Sequence, residues 1–236
     1  GAAYDKKTGI ARYSAAVEKP SYTYATGSNA VSLTVEFTLD MSKLPKSAFT
    51  DVTAGAWYYD AALYAYNKGL MVGTSDTAFG PDVPMTRAML VAVLHRLAGS
   101  PSVSGKMPFT DVEADTWYTE AVLWAYQNDI VAGTSASTFA PNDVITREQM
   151  AVILYGYTAK FAPEFTGNAA SLNTFPDAGS VANWAYAAMS WAVGNGLISG
   201  MGSGGVSYLA PQGSATRAQC AAMLVRFLDK FEAPAA

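Results

Sequence analysis

One sequence pattern occurs three times along the chain. Each copy begins with a Phe-x-Asp motif, continues through a Trp and a Gly-containing loop, and ends in a helix opened by a Thr-Arg pair. The copies start at Phe49, Phe109 and Phe175, 60 and 66 residues apart. The Trp-to-Arg spacing is 30 residues in the first two copies and 33 in the third, whose Gly-rich loop carries an insertion. The repeat predicts one domain built three times.

The repeat divides the chain into four segments. Residues 1–48 precede copy one (49–108), copy two (109–174) and copy three (175–236). In the first segment, apolar and polar residues alternate from Val31 to Leu39, which predicts a half-buried strand. Tyr22 and Tyr24 precede it across a turn, which predicts a hairpin. Because a lone hairpin is only marginally stable, it either packs on the repeats or ends a domain cut away upstream.

Each copy is predicted to fold as helix, loop, helix. We expect the first helix to begin at Trp57, Trp117 and Trp184. Gly69 and Gly196 follow it in copies one and three and suit a left-handed cap. Copy two has Asp129 at that place, which adopts the same conformation less easily.

The second helix is predicted to begin at a Thr in every copy, namely at Thr86, Thr146 and Thr216. Gln149 and Gln219 complete a capping box with the Thr three residues earlier, and Met89 does not. Apolar residues then recur at helical spacing. Cys220 falls in this stripe and is interpreted as a small core residue, not a reactive thiol.

The composition excludes several classes of function. The 15 Lys and Arg against 19 Asp and Glu leave a net charge of −4, which argues against nucleic acid as a partner. One Cys and one His exclude the common zinc sites, and we expect no metal or cofactor. No apolar run is long enough to insert in a membrane, and the opening residues contain no signal peptide.

No arrangement of residues predicts catalysis. Asp51, Asp111 and Asp177 recur in all copies, so we interpret them as bonding backbone N–H groups near the first helix. His95 is unique but is interpreted as a packed or surface helix residue. We therefore predict no catalytic residue and no enzymatic activity.

Three equivalent arginines are the strongest candidates for a binding site. Arg87, Arg147 and Arg217 each follow a helix N-cap, where free backbone N–H groups and the helix dipole favour an anion. A guanidinium there suits a carboxylate or phosphate. The alternative is an ion pair with an Asp of a neighbouring copy, and both remain open.

Two further sets of residues recur with the arginines. Gly73, Gly133 and Gly200 precede them by 14, 14 and 17 residues and serve either a turn or the close approach of a ligand. The tryptophans Trp57, Trp117 and Trp184 have aromatic faces that suit a sugar, although a core position is favoured for a Trp at a helix start.

The motifs FTDV at 49 and 109, FPDA at 175, TRAM at 86, TREQ at 146 and TRAQ at 216 resemble those of S-layer homology domains over roughly residues 49–232. The resemblance implies a mainly α, three-pronged fold with pseudo-threefold symmetry around a central helix bundle. It also implies grooves between copies that bind a secondary cell wall polymer attached to peptidoglycan, commonly through pyruvylated N-acetylmannosamine. The motif Arg would meet the pyruvyl carboxylate, and the loop Gly would let the sugar approach the backbone.

Departures from the family motif rank the three grooves. Met89 replaces a capping residue in copy one, and the inserted region from Met201 to Ser207 alters the loop of copy three. We expect the grooves that carry Arg87 and Arg147 to bind before the one that carries Arg217.

The leading hypothesis is a secreted, non-catalytic module that anchors a surface protein to the wall of a Gram-positive-type bacterium. Several weak sites on one rigid body would gain avidity on a repeating polymer. The alternatives are self-association in a surface lattice, and service as the anchoring tail of a secreted glycoside hydrolase.

Overall fold

The computed structural model of the chain describes residues 2–5, 10–13, 49–202 and 205–231, the first two segments as backbone only. The chain divides into two compact units, Gly1–Leu44 and Pro45–Ala236. In the first unit, β1 (Ala2–Asp5) pairs antiparallel with β2 (Ile10–Tyr13). The hairpin predicted between residues 22 and 39 lies outside the described residues.

The second unit confirms the mainly helical prediction. Each copy contributes a short first helix and a second helix after a loop. The α-helices are α1 (Tyr59–Asn67) and α2 (Arg87–Leu97) in copy one, α3 (Thr119–Gln127) and α4 (Arg147–Phe161) in copy two, and α5 (Tyr186–Gly194) and α6 (Arg217–Phe231) in copy three. Within the described residues, single-turn 3-10 helices lie at Pro163–Phe165, Ala178–Ser180 and Asn183–Ala185.

The caps form where the sequence predicts them. Thr86, Thr146 and Thr216 each accept a hydrogen bond from the N–H three residues later, at 3.3 Å. Gln149 Oε1 and Gln219 Oε1 accept a hydrogen bond from the N–H of the Thr three residues earlier and complete the capping box. At the ends of the first helices, Gly69, Asp129 and Gly196 have φ of 69°, 60° and 71°, so Asp129 adopts the left-handed conformation of the two glycines.

Each first helix packs on the second helix of a different copy. Helix α1 packs on α6, α3 packs on α2, and α5 packs on α4. Copy one is therefore joined to copy three as closely as to copy two, and the three copies close into a ring. The apolar face of each first helix is therefore covered by the second helix of a neighbouring copy.

Backbone hydrogen bonds close the same ring at its centre. Met85 N donates to Ala215 O at 2.8 Å, Ala215 N to Ile145 O at 3.3 Å, and Ile145 N to Met85 O at 2.9 Å. The three residues are equivalent in the repeat and fully buried. This triangle marks the pseudo-threefold axis, in agreement with the predicted architecture.

The second helices supply much of the core around this axis. Cys220 on α6 is 1% exposed, and its Sγ lies 3.4 Å from Met150 Sδ on α4. Burial raises the pKa of this thiol to about 12, more than Arg217 and Arg147 lower it, so Cys220 is neutral at physiological pH. The interpretation of Cys220 as a core residue is confirmed.

Candidate functional site

The three motif arginines are buried at the junctions between copies. Arg87, Arg147 and Arg217 are 6%, 6% and 5% exposed. Each donates a hydrogen bond of 2.8 Å from Nε to a loop carbonyl of the next copy around the ring, to Phe139 O, Leu209 O and Phe79 O respectively. Each side chain is thus fixed by a copy other than its own.

The aromatic loop residues also contact two of the guanidinium groups. Arg87 Cζ lies 4.7 Å from the centre of the Phe139 ring, and Arg217 Cζ lies 4.8 Å from that of Phe79. These are cation–π distances. The equivalent residue in copy three is Leu209, so Arg147 has the backbone contact without the ring.

The repeated aspartates fix the loop segments to which the arginines bind. Asp111 accepts hydrogen bonds from Phe139 N at 2.8 Å and Ala140 N at 2.7 Å. Asp51 does the same with residues 79 and 80, and Asp177 with residues 209 and 210. The predicted role in bonding backbone N–H groups is confirmed. The predicted location near the first helix is wrong, because the bonded groups lie in the loop before the second helix.

The backbone N–H groups at the start of each second helix are already bonded. Arg87 N donates to Asp143 O and Ala88 N donates to Pro141 O, each at 3.0 Å. The corresponding groups at Arg147 and Arg217 donate to Gly213 O and Val83 O, at 3.0 and 2.9 Å. The expectation that free N–H groups at these helix starts would receive an anion is therefore wrong. Neighbouring copies supply carbonyl oxygens to them instead.

The outer nitrogens of two arginines remain available for a ligand. Within the described part of the chain, Nε makes the one side-chain hydrogen bond of Arg87 and of Arg147. Every fully buried side-chain nitrogen or oxygen in these segments has a partner, so the Nη atoms of these two arginines are not completely buried. Arg217 differs because its Nη2 also donates to Val72 O.

The charges around the arginines differ from copy to copy. Burial lowers the pKa of all three guanidinium groups, but they remain cationic. Asp143 and Asp111 oppose this at Arg87. At Arg147, Arg226 lowers the pKa further and Asp177 and Cys220 raise it. At Arg217, Cys220 and Asp51 raise the pKa and Arg96 lowers it.

The loop glycines are required by the packing of their own loops. A Cβ at Gly133 would lie 2.6 Å from Phe109 Cε1 and 2.6 Å from Thr138 O. At Gly73 and Gly200 it would meet the equivalent Phe ring at 2.6 and 2.9 Å. The absent side chain at each position therefore accommodates the motif Phe of the same copy. This is a structural reason for glycine that needs no ligand.

The three tryptophans are surface residues. Trp57, Trp117 and Trp184 are 61%, 58% and 60% exposed, so the preference for a core position is wrong. Helices α1 and α3 begin two residues after Trp57 and Trp117, and Trp184 lies in a 3-10 helix before α5. Trp57 and Trp117 each pack edge-on against the following Tyr, with ring centres 5.4 and 5.1 Å apart. Their remaining surface is open to a partner.

The sequence reasoning missed Glu148, which follows Arg147. Its carboxylate is buried and accepts hydrogen bonds from Ala182 N at 3.0 Å and from Gln212 Nε2. Because Ala182 lies two residues before Trp184, this contact holds the segment carrying Trp184 at the start of α4. The sequence feature that could have revealed this role is a carboxylate at a position where the other two copies have alanine, Ala88 and Ala218.

Arg96 and Arg226 were also missed, although both stand nine residues after a motif Arg. Each donates from Nη1 to a carbonyl at the end of the first helix of its own copy, Leu70 O at 3.0 Å and Leu197 O at 3.3 Å. Copy two has Gly156 there, and a Cβ on it would lie 2.9 Å from Ile130 O. In copy two, the backbone of Ile130 therefore lies directly against position 156, where copies one and three have an arginine side chain.

The hydrogen bonds to Asp111 predict an acid-sensitive contribution to stability. Burial raises the pKa of Asp111, but hydrogen bonds from Phe139 and Ala140, together with the charge of Arg87, outweigh it and lower the pKa below 3.8. The contribution is therefore complete above the pKa of the unfolded chain and is lost as the pH falls through the folded value. Asp111→Asn is expected to lower the free energy of unfolding at pH 7 by about 1–3 kcal/mol.

Urea unfolding at pH 7, 5 and 3 measures this effect. The difference between the unsubstituted chain and Asp111→Asn should shrink toward pH 3, and the exposed Asp76→Asn provides the control. A difference that stays constant down to pH 3 would contradict the assignment.

Comparison with known proteins identifies the repeated unit. The S-layer homology domain family matches residues 48–88, 108–151 and 174–221, which together are more than half of the chain. The chain belongs to the S-layer homology domain family. The resemblance predicted from the Phe-x-Asp and Thr-Arg motifs is confirmed.

Two relatives illustrate where S-layer homology domains occur. The chain is 33% identical over 167 residues to the surface-layer 125 kDa protein of Lysinibacillus sphaericus, covering 71% of this chain and 14% of that protein. It is 30% identical over 177 residues to an amylopullulanase of Thermoanaerobacterium thermosulfurigenes, covering 74% of this chain and 9% of the enzyme. The chain thus spans a small part of the length of these relatives.

Among solved structures, the chain is similar to an undecaheme cytochrome from the S-layer of Carboxydothermus ferrireducens. The match has a TM-score of 0.40 and 20% sequence identity, and it covers 74% of this chain and 21% of that one.

Family membership gives the general role of the chain. The S-layer homology domain is a binding module of the bacterial cell surface and is not itself catalytic, so this chain is a secreted, wall-associated module that serves surface anchoring. In the described segments, no helix is both long and apolar enough to cross a membrane. The same segments contain no cluster of three or more His, Cys, Asp or Glu residues that could hold a metal ion.

Proposed function

We propose that the chain anchors its parent protein by binding an anionic secondary cell wall polymer at the junctions between copies. The ligand class that fits is a saccharide carrying a carboxylate, of which pyruvylated N-acetylmannosamine is the form implied by the family. One observation carries the proposal: the guanidinium groups of Arg87 and Arg147 are fixed through Nε, while no hydrogen bond within the described residues occupies their Nη atoms.

A fixed guanidinium suits this ligand for physical reasons. Its two Nη groups present parallel donors that match the two oxygens of a carboxylate. Because the side chain is already held by a neighbouring carbonyl and mostly buried, little rotamer entropy is lost when the ligand binds. Low exposure also reduces screening by water and strengthens the ion pair.

The exposed tryptophans support a saccharide as the remainder of the ligand. Each of them precedes a first helix that packs on the second helix of another copy, so each junction carries one Trp and one Arg. The contact of Glu148 with Ala182 links Trp184 to the start of the helix that carries Arg147. An indole face can stack on a sugar ring while the guanidinium binds the carboxylate.

Removal of the three guanidinium groups tests the function. The triple variant Arg87→Ala, Arg147→Ala and Arg217→Ala is expected to lose most binding to purified cell wall sacculi in a co-sedimentation assay. A triple variant of the exposed Lys68, Lys106 and Lys160 to Ala removes the same charge and should bind normally.

Folding must be checked in the same samples, because each motif Arg also bonds a loop carbonyl. Circular dichroism and thermal unfolding establish which variants are folded. If the triple variant does not fold, the three single substitutions are tested in its place. Undiminished binding of sacculi by a folded triple variant would contradict the proposed mechanism.

A second proposal concerns the parent protein. The relatives include an amylopullulanase and an endoglucanase, of which this chain matches 9% and 19% of the length. The chain would then be the anchoring part of a longer secreted polysaccharide-degrading enzyme. The coding sequence around it decides this, because a neighbouring glycoside hydrolase domain would support the proposal and its absence would exclude it.

Self-association in a surface lattice is the alternative mechanism of attachment. It predicts concentration-dependent sedimentation of the purified chain without any polymer. A monomer at all concentrations that still binds sacculi would favour the polymer-binding proposal.

A further inference from the structure

The three junctions present different side chains to equivalent arginines. The residue whose carbonyl accepts the hydrogen bond from the N–H of the motif Arg is Asp143 beside Arg87, Gly213 beside Arg147, and Val83 beside Arg217. A Cβ on Gly213 would lie 3.8 Å from Arg147 Cδ, so a side chain at this position lies along the arginine. The junctions therefore place a carboxylate, no side chain and an isopropyl group next to the three guanidinium groups.

A second difference, in the number of cations near each motif arginine, also makes the Arg87 junction less favourable for an anion. Arg226 is a cationic neighbour of Arg147, and Arg96 is one of Arg217. Arg96 and Arg217 bond carbonyls two residues apart, Leu70 O and Val72 O. The equivalent residue in copy two is Gly156, where the backbone of Ile130 leaves no room for a side chain. Among the described residues, the charges that act on Arg87 are consequently those of Asp143 and Asp111, with no second cation.

The other nearby groups do not change this balance. Each junction contains one motif aspartate, so that contribution is shared by all three. Cys220 is neutral. Glu148, which is next to Arg147, is occupied by Ala182 N and Gln212 Nε2 and is not among the charges that shift the pKa of Arg147. Apart from the shared aspartate, Arg147 and Arg217 each have a second cation nearby, whereas Arg87 has the opposing charge of Asp143. The bond from Arg217 Nη2 to Val72 O leaves Nη1 for a carboxylate oxygen, so the proposal separates the junctions by charge and not by the number of free donors.

We propose that an anionic saccharide binds at the Arg147 and Arg217 junctions and that Asp143 keeps the Arg87 junction empty. The inference rests on the proposed function and refines it, since it states which junctions are used. It replaces the sequence-based expectation that the Arg87 and Arg147 grooves would bind first. Its physical basis is that a carboxylate beside the guanidinium repels a second carboxylate and already compensates its charge.

The experiment is isothermal titration calorimetry of the full chain with a pyruvylated N-acetylmannosamine glycoside. A single sugar cannot bridge junctions, so the stoichiometry counts sites. We expect two equivalents for the unsubstituted chain, one for Arg147→Ala, one for Arg217→Ala and none measurable for the double variant. A double variant that still binds one equivalent would overturn the proposal.

The second part of the experiment looks for a gain of binding. A gain cannot result from a variant that fails to fold. Asp143 is exposed, so Asp143→Asn should fold and should strengthen binding at the Arg87 junction about three- to tenfold, which adds a third equivalent. Combining it with Arg87→Ala should remove that equivalent. Glu164→Gln removes the same charge at an exposed position after α4 and should leave two equivalents. Identical titrations of Asp143→Asn and Glu164→Gln would overturn the proposal.

Failure of this inference is distinguishable from failure of the proposed function. If the function is wrong, the glycoside fails to bind the unsubstituted chain, or it binds the folded triple arginine variant as well as that chain. If only the assignment of junctions is wrong, the unsubstituted chain binds three equivalents and the triple variant binds none.

Discussion

A chain that ends at residue 174 is expected to show no cooperative unfolding transition. The truncation removes α5 and α6, so α4 and α1 lose the helices on which they pack. Met85 N also loses its acceptor, Ala215 O. Helix α6 alone buries Cys220, Met223, Leu224, Phe227 and Leu228. At about 1.5–3 kcal/mol for each large apolar side chain, this loss is comparable with the entire stability of a domain, about 5–15 kcal/mol.

Circular dichroism during thermal and urea unfolding tests this prediction. The control is a chain that begins at Pro45, which retains all six α-helices and should unfold cooperatively. If the chain of copies one and two unfolded cooperatively with full helix content, each copy would be an independent unit and the closed ring would not be required for folding.

The second large effect is expected at Gly133. Gly133→Ala combines a left-handed backbone, with φ of 82°, and contacts of 2.6 Å with Phe109 Cε1 and Thr138 O. The left-handed conformation alone costs about 1–2 kcal/mol for a residue with a Cβ. Displacement of the loop or of the buried Phe109 adds overpacking strain of about 1–3 kcal/mol. We expect a total loss of about 2–5 kcal/mol in the free energy of unfolding.

Two matched glycines separate these contributions. Gly99 has φ of 84° with nothing within 4 Å of a Cβ, so Gly99→Ala reports the backbone cost alone. Gly73 lies outside the left-handed region, but a Cβ on it would meet Ser75 O and would lie 2.6 Å from Phe49 Cε1 and 2.7 Å from Ala78 O, so Gly73→Ala reports the steric cost alone. Urea unfolding should rank Gly133→Ala as the most destabilising of the three. Equal losses for Gly133→Ala and Gly99→Ala would show that the loop accommodates the methyl group.

Features of the fold that depend on neighbouring residues were predictable from the sequence. The N-caps at Thr86, Thr146 and Thr216 and the left-handed residues at Gly69 and Gly196 follow from local hydrogen bonding and backbone sterics. The core position of Cys220 follows from helical spacing and from alignment with Leu90 and Met150. The helix-loop-helix unit was likewise predictable, because its apolar spacing and its caps recur in each copy of the motif.

The pairing of helices was not predictable in this way. Periodicity shows that α1 has an apolar face, but it does not show that the face packs on α6 instead of α2. The same limit applies to Asp51, whose backbone partners at residues 79 and 80 lie 28 and 29 positions along the chain. Such contacts depend on the closure of the ring, which no local pattern encodes.

Two errors at the candidate site have specific physical causes. The periodic pattern placed Trp57 on the buried face of a helix, but α1 begins at Tyr59, and Trp57 lies outside it and exposed. The helix start at Arg87 was expected to have free N–H groups, but Asp143 O and Pro141 O of copy two accept their hydrogen bonds. The first error comes from the position of the helix start, and the second comes from acceptors that another copy supplies.

The central claim is that the motif guanidinium groups bind a carboxylate of the wall glycan. The most direct measurement is calorimetric titration of the unsubstituted chain with two N-acetylmannosamine glycosides that differ only in the pyruvyl group. The account predicts binding of the pyruvylated glycoside and at least tenfold weaker binding of the other, as expected when a buried guanidinium loses its charged partner. Equal affinity for the two glycosides would contradict it.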